Sequence, residues 1–316
     1  MLPFVIRRVA SMVPVLFGVS IVVFVVMAVI PGNTASAILG TFSTPENISD
    51  LNAALGLDRP LHEQYAVWIG NVLEGDFGRS YVLHRPVLDE IADRLPPTLL
   101  LAGTALLIAS MLGIALGIVA AVRHNAWQDR LVTLTVLVGV STPPFWLGLL
   151  LILWFAVQNT WFPVGGMVSL FDGGGFFDIA HHLVLPALAL AAVAAAVIAR
   201  LTRTAMLEVL GQDYVRTARA KGLPERVVVM RHAFRNALVA VVPVIALQAG
   251  FVLGGAVYIE TVFQWPGMGR MLVDAIATRD ILLVQGGVLV IAAAYVVINL
   301  LSDIAQAALD PRVRAA

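Results

Sequence analysis

DYVRTARAKGLPERVVVMRHAFRN, residues Asp213–Asn236, is the one long polar interval between two clearly apolar stretches of this chain. It carries Arg216, Arg219, Lys221, Arg226, Arg231 and Arg235 against Asp213 and Glu225, and Lys221 is the only lysine in the protein. Gly222-Leu223-Pro224 breaks it in the middle. A glycine takes the left-handed conformation that ends a helix, and a proline suits the first position of the next one. The interval therefore predicts helix, sharp turn, helix. Ala218, Ala220 and Gly222 lie just before or in the turn, where small side chains let another protein approach the backbone. Two uses fit this pattern: a knob on which a partner docks, or a basic loop that only fixes orientation in a membrane.

The rest of the chain makes the membrane setting plain. Of 316 residues, 59% are hydrophobic and only 13% are charged, with a mean hydropathy of +0.90. A soluble domain of this length carries about 25% charged residues. The net charge is zero, which implies no bulk attraction to nucleic acid, and the absence of cysteine excludes disulfides and thiolate chemistry. Six apolar blocks are long enough to cross a bilayer, which takes roughly 20 residues of helix. They are 9–30, 98–122, 131–157, 183–199, 237–259 and 281–302, and none contains Asp, Glu, Lys or Arg. The first is too long for a signal-peptide core and lacks a small-residue cleavage site, so it reads as a retained span. The expected fold is all-α, a polytopic membrane protein with six transmembrane helices.

Basic residues set the orientation. With the N-terminus inside, 14 of the 20 Lys and Arg fall on inner segments, while 14 of the 20 acids fall outside. Both termini and the 213–236 interval are then cytoplasmic. Residues 31–97 become an extracytoplasmic helical insertion after span one. Within it Thr44-Pro45-Glu46 reads as a capped helix start. Short amphipathic helices are expected over 60–73 and 86–95, with Gly75 and Gly78 turning the chain between them. The insertion either seats a soluble receptor or packs the outer ends of the spans.

Several smaller features carry expectations. Ser141-Thr142-Pro143-Pro144 should kink the third span, because two prolines free backbone carbonyls. The fourth span is mostly alanine and leucine, which favours close helix packing. Gly250, Gly254 and Gly255 in span five should mark helix contacts, and Phe171–Phe177 should be a flexible glycine loop. Trp265 should sit at headgroup depth in an interfacial turn. His181-His182 is a poor chelate, since helical neighbours point in different directions. No nucleophile elbow, zinc motif or nucleotide-binding motif occurs, so no catalytic constellation is expected. Ion-coupled carriers usually place a carboxylate or histidine at membrane depth. The uncharged spans therefore favour a pore powered from outside the chain.

The motif RTARAKGL (216–223) resembles the cytoplasmic loop of permease subunits from binding-protein-dependent ABC importers, in its dipeptide/oligopeptide form. The wider family pattern, Glu-Ala-Ala, three residues, then Gly, is matched only at Ala218 and Gly222. GLDRPLHEQYAVWIGNVLEGDFGRSY (56–81), RPVLDEIADRLPPTLLLA (85–102), ETVFQWPGMGRMLVDAIATRD (260–280) and NLLSDIAQAALDPRVR (299–314) resemble the same branch, so the likeness spans nearly the whole chain. The resemblance implies one permease domain over 1–316, with the insertion at 31–97 and a coupling loop at 200–236. It implies a bacterial inner membrane, a second homologous permease, two ATPase subunits and an extracytoplasmic substrate-binding protein. ATP and magnesium would sit on the ATPase subunits, leaving this chain without a cofactor and without enzymatic activity. The implied coupling residues are Asp213, Tyr214, Arg216, Thr217, Ala218, Arg219, Ala220, Lys221, Gly222 and Pro224. Arg216 and Arg219 share a helix face and would offer charge to the ATPase. Peptides are the implied cargo, with nickel carried by some relatives. A stand-alone secondary carrier or channel is the competing expectation, separated from the first by whether ATPase subunits co-purify.

Overall fold

A computed structural model describes residues 2–29, 44–56, 58–169 and 174–309. The start of the expected insertion, half of the glycine loop and the closing basic residues lie outside these. The described residues are helical throughout apart from turns, loops and one isolated bridge between Arg79 and Pro86. The helices are α1 Leu2–Val29, α2 Pro45–Leu55, α3 Leu61–Leu73, α4 Val87–Val122, α5 Trp127–Ser141, α6 Pro144–Leu151, α7 Phe176–Leu210, α8 Asp213–Ala220, α9 Glu225–Val227, α10 Arg235–Val262, α11 Met268–Thr278 and α12 Ile281–Leu309.

Five helical stretches are long and apolar enough to cross a membrane: Ile6–Val29, Val87–Val122, Phe176–Leu210, Glu225–Val262 and Ile281–Ile304. The expected third span departs from this. It is two helical pieces, Trp127–Ser141 and Pro144–Gln158, bent by 105°, and makes a sixth candidate only if the pair counts as one span. The cause is local. Pro143 pushes Thr142 out of the helical region, to φ −91° and ψ 121°. Pro144 then opens a new helix in its first turn, where a missing N–H costs nothing. The Thr142 hydroxyl donates to the Val138 carbonyl at 2.7 Å, satisfying a group that the break would leave bare. The second piece ends in a π-helical stretch, Ile152–Gln158.

The paired prolines at 96 and 97 act differently. The sequence suggests a short helix ending at Leu95 and a separate span from Thr98, but α4 runs through both prolines unbroken. Its first turns are fixed by ion pairs: Arg85 to Glu90 at 2.9 Å, Arg94 to Glu90 at 2.7 Å and Arg85 to Asp93 at 2.8 Å. Glu90 is buried. The prolines remove individual ladder bonds while the flanking turns stay anchored.

The chain divides into two compact units, residues 98–265 with both chain ends, and residues 6–97 with 266–296. In the first, α7 is the centre. Its most apolar window is 72% buried, against 22–39% for the other candidate spans. It packs against α5, α6 and α10. Gly113 and Gly117 of α4 bring that helix onto α7 at backbone distance. A Cβ at Gly113 would lie 2.8 Å from the Ala195 carbonyl, and one at Gly117 would lie 2.7 Å from the Ala199 carbonyl. This is the small-residue packing that draws membrane helices together. Ala120, Val132, Val136, Ala196 and Ala199 close the same interface. The span-five glycines contribute less than expected. A Cβ at Gly255 would touch Leu190 at 3.3 Å, but one at Gly254 would meet nothing within 4 Å.

Trp265 corrects another expectation. It is fully buried rather than placed among headgroups. Gln264 takes a left-handed φ of 51°, and the Trp265 amide donates to the Glu260 carbonyl at 2.8 Å, which turns the ring inward. Gly165 lies close beneath this turn, since a Cβ there would fall 2.5 Å from the Phe263 carbonyl oxygen. Glu260 itself has no exposure and accepts a hydrogen bond from the Thr98 hydroxyl at 2.6 Å. The apolar block ends at Ile259, but the helix continues to Val262 and carries this carboxylate inside.

In the second unit, Val23, Phe24 and Met27 of α1 pack with Trp68 of α3, Val87 and Ile91 of α4, Met271 of α11 and Leu283 of α12. The predicted helix start holds: the Thr44 side chain caps α2 by accepting from the Asn47 amide at 3.2 Å. Gly75 and Gly78 both take positive φ, at 90° and 78°, as the expected turn requires.

Candidate functional site: a basic elbow

The predicted helix–turn–helix forms. α8 covers Asp213–Ala220, and Gly222 takes φ 75°, the left-handed residue that closes the helix. Pro224 stands one residue outside the next helix, as its N-cap, and α9 begins at Glu225. From there the chain continues through a π-helical stretch, Val228–Phe234, directly into α10. The second arm of the elbow is thus an extension of a candidate span, not a separate surface helix.

The elbow has its own small core. Val215 and Ala218 of α8 are buried against Val228, with Val209 and Leu210 packed alongside. Ala218 therefore faces inward and is not open to another protein. Ala220, Lys221, Gly222, Leu223 and Pro224 are exposed, and a Cβ at Gly222 would meet nothing within 4 Å. Tyr214 and Leu223, 45% and 38% exposed, give this tip an apolar component. The Tyr214 hydroxyl accepts from the Asn236 side chain at 3.0 Å, which ties α8 to the start of α10. The Thr217 hydroxyl is turned back on the Asp213 carbonyl at 2.9 Å.

The charges are not all available outward. Arg219 grips Glu225 across the turn, with Nη2–Oε1 at 2.7 Å and Nε–Oε2 at 3.2 Å. Hydrogen bonding to that carboxylate pushes the Arg219 guanidinium above its ordinary pKa. Arg219 therefore braces the two arms, and the charge it was expected to offer a partner is shared with Glu225. Arg216 lies 3.6 Å from Asp213, and both side chains are largely exposed. Lys221 and Arg226 are exposed and make no ion pair among the described residues. Around the tip the outward cations are Arg216, Lys221 and Arg226, and Arg231 and Arg235 are exposed further along the second arm. Exposed ion pairs contribute about 0.5 kcal/mol to stability, so Arg219→Gln should barely move the melting temperature. Its expected effect is on the elbow angle, read as weaker retention of a docked partner.

A second polar cluster lies where α5 meets α7. Arg203 clasps buried Asp129 through Nε–Oδ1 at 2.6 Å and Nη2–Oδ2 at 2.8 Å. The Asn125 amide donates to the same carboxylate at 3.0 Å. His124 Nδ1 lies 3.3 Å from it. A carboxylate just before one apolar block and an arginine just after another were the sequence signal for this clasp. The histidine pair is spent on structure: His181 Nε2 lies 2.8 Å from the Trp161 carbonyl oxygen, and His182 Nδ1 lies 2.9 Å from the Asp178 carbonyl oxygen. Among the described residues no group of three or more potential ligands could hold a metal.

Residues 113–315 match the family described as binding-protein-dependent transport system inner membrane component, and residues 1–102 match its N-terminal companion. The chain belongs to this family. Its members are transport permease components rather than enzymes, and the apolar helices above fit that membership. The glutathione transport system permease protein GsiC of Escherichia coli K12 is 44% identical over 314 residues, covering 99% of both chains. GsiC of Shigella flexneri serotype 5b is 43% identical over the same length. Among solved structures, a chain from the MetNI methionine ABC transporter in inward-facing form aligns with a TM-score of 0.57 at 19% identity. It covers 71% of this chain and 97% of that one, which speaks to the fold alone.

Proposed function

We propose that this chain is the permease subunit of an ATP-driven importer for peptides or similar small solutes. It would lie in a bacterial inner membrane with both termini cytoplasmic. It would work beside a second, homologous permease, two ATPase subunits and an extracytoplasmic substrate-binding protein, with ATP and magnesium held by the ATPase subunits. The observation that carries this reading is the elbow: an exposed, cationic turn built on its own core and continuous with a membrane-length helix. When the ATPases close on ATP, Tyr214, Arg216, Lys221, Leu223 and Arg226 would move with them, and α10 would follow. Full-length similarity to a glutathione permease supports a peptide-like cargo.

The test is co-purification. Arg216→Glu combined with Lys221→Glu should reduce ATPase retention about tenfold, since two like-charge contacts replace two favourable ones, while membrane insertion is unchanged. Undiminished retention would return the loop to an orientation role. Buried Glu260 and Asp280 favour a stand-alone ion-coupled carrier, because such carriers use carboxylates away from water. Family membership weighs against that reading, and uptake surviving without any ATPase would restore it.

A further inference from the structure

The docked elbow leaves the proline break in the third candidate span without a role. Pro143 and Pro144 carry no N–H, so the carbonyls of Gly139 and Val140 lose the donors that a continuous helix would supply. The Thr142 hydroxyl serves only the Val138 carbonyl before them. Among the described residues no other side chain donates to the last turn of α5. Val140 is 44% exposed, and Ser141 and Pro143 are exposed beside it.

Depth decides what can cover these groups. The apolar block begins at Leu131. At 1.5 Å per residue Ser141 lies about 15 Å further along α5, half of a hydrocarbon core roughly 30 Å thick. If α5 enters the bilayer at Leu131 along its normal, the 105° break stands at the midplane. Irregular backbone at that depth survives only against protein or water, since lipid offers no donor. Two features favour water and a cationic solute. A shallow open groove of about 330 Å³ follows α5 towards the break, from Asn125, Asp129 and Arg130 through Thr133 and Leu134 to Leu137. Arg130, Leu134, Leu137 and Ser141 recur at helical spacing, so the polar end of this groove and the break share a face. Exposed Phe145 and Trp146 then follow in the first turn of α6.

We infer that the break lines the solute path and binds the ammonium group of the cargo. This rests on the permease reading above and adds the part of the substrate that the chain recognises. The carbonyls at the C-terminal end of α5 carry partial negative charge and accept from the N–H groups of the cation. The Ser141 hydroxyl accepts one more, and Phe145 and Trp146 supply the aromatic rings that such cations favour. The apolar blocks contain no carboxylate, so freed carbonyls are the acceptors available at this depth. Unwound carbonyls of broken helices coordinate cations at mid-membrane in other transporter folds.

The absence of cysteine permits a direct test. Ser141→Cys puts one thiol at the break, and Met111→Cys puts one on the exposed apolar face of α4, near the middle of its block. Each full chain, with the subunits it retains, is reconstituted in vesicles. A charged, membrane-impermeant methanethiosulfonate is supplied on both sides, and modification of this chain is read by mass. The thiolate is the reactive form, and it needs water to ionise. Ser141→Cys should therefore react about tenfold faster than Met111→Cys. Trialanine at twice its dissociation constant should slow the reaction about threefold, the factor 1 + [L]/Kd. N-acetyl-trialanine should not slow it, because acetylation removes the terminal charge. A rate no faster than that of Met111→Cys would mean that lipid or a second permease covers the break, and would overturn the inference. Fast modification that trialanine leaves unchanged, or that the acetylated peptide slows equally, would overturn it too. ATP-driven uptake of trialanine by the unsubstituted chain reads the importer proposal by itself. Uptake alongside an unreactive Ser141→Cys would remove this site and leave that proposal standing.

Discussion

Gly222→Val is expected to leave the chain in the membrane and to reduce uptake about tenfold. Gly222 holds φ 75° with open space around it, so no neighbour resists a larger side chain. The obstacle is the backbone itself. A β-branched residue in the left-handed region costs about 1–2 kcal/mol, a factor of roughly 5–30 in the population of the native turn. The two arms then open or swing, and Lys221 and Leu223 leave their places. Gly222→Asn is the control, because asparagine tolerates this conformation through local hydrogen bonding. Uptake in vesicles, with protein level measured in parallel, checks it. Equal uptake by the valine and asparagine variants would mean that the turn conformation is immaterial.

The second large effect is on folding. Gly117→Leu is expected to destabilise the chain by about 3 kcal/mol, at the upper end of overpacking penalties. A Cβ there falls 2.6 Å from Thr202 Cβ and 2.7 Å from the Ala199 carbonyl. The carbonyl is backbone of a central helix and cannot step aside. The interface between α4 and α7 must widen, and the buried Thr202 side chain loses its place. Gly103→Leu is the matched control in the same helix, since a Cβ there meets nothing within 4 Å. Melting temperature in detergent, or the fraction surviving solubilisation, separates the two. A Gly117→Leu protein as stable as the Gly103→Leu protein would refute the close packing.

Much of this architecture could be read from residue types. Long uncharged blocks gave five of the spans, and the Gly222-Leu223-Pro224 break gave the elbow with its left-handed residue in place. Thr44 gave a true helix cap. These are local signals, set by conformational preference and by the cost of exposing peptide groups to lipid. What escaped was set by pairing between distant segments. Nothing near Gly113 says that Ala195 will lie against it, although the four-residue spacing of Gly113 and Gly117 was a usable hint. Pro96-Pro97 and Pro143-Pro144 look alike in sequence, yet one pair is carried inside a helix and the other breaks it by 105°. Ion pairs around Glu90 hold the turns preceding the first pair. The site residues divide in the same way. Exposure of Tyr214, Lys221 and Gly222 followed from polarity. The inward turn of Ala218 and the capture of Arg219 by Glu225 depend on where the second arm folds back.

That capture has a mechanical meaning. Arg219 and Glu225 close a bridge over the bend, and Val215 meets Val228 beneath it, so the two arms cannot hinge freely. If a partner docks on α8 as proposed, a push delivered there would be passed on as rotation through the Val215–Val228 contact, with only a small contribution from the exposed ion pair. α10 has 28 residues, about 42 Å of helix at 1.5 Å per residue. Tilting such a rod by about 5° moves its far end by roughly 4 Å, and that end carries buried Glu260 and the Trp265 turn. On the proposed coupling role, the joint would behave as a bell crank, converting a small sideways displacement at one end of α10 into leverage at the other.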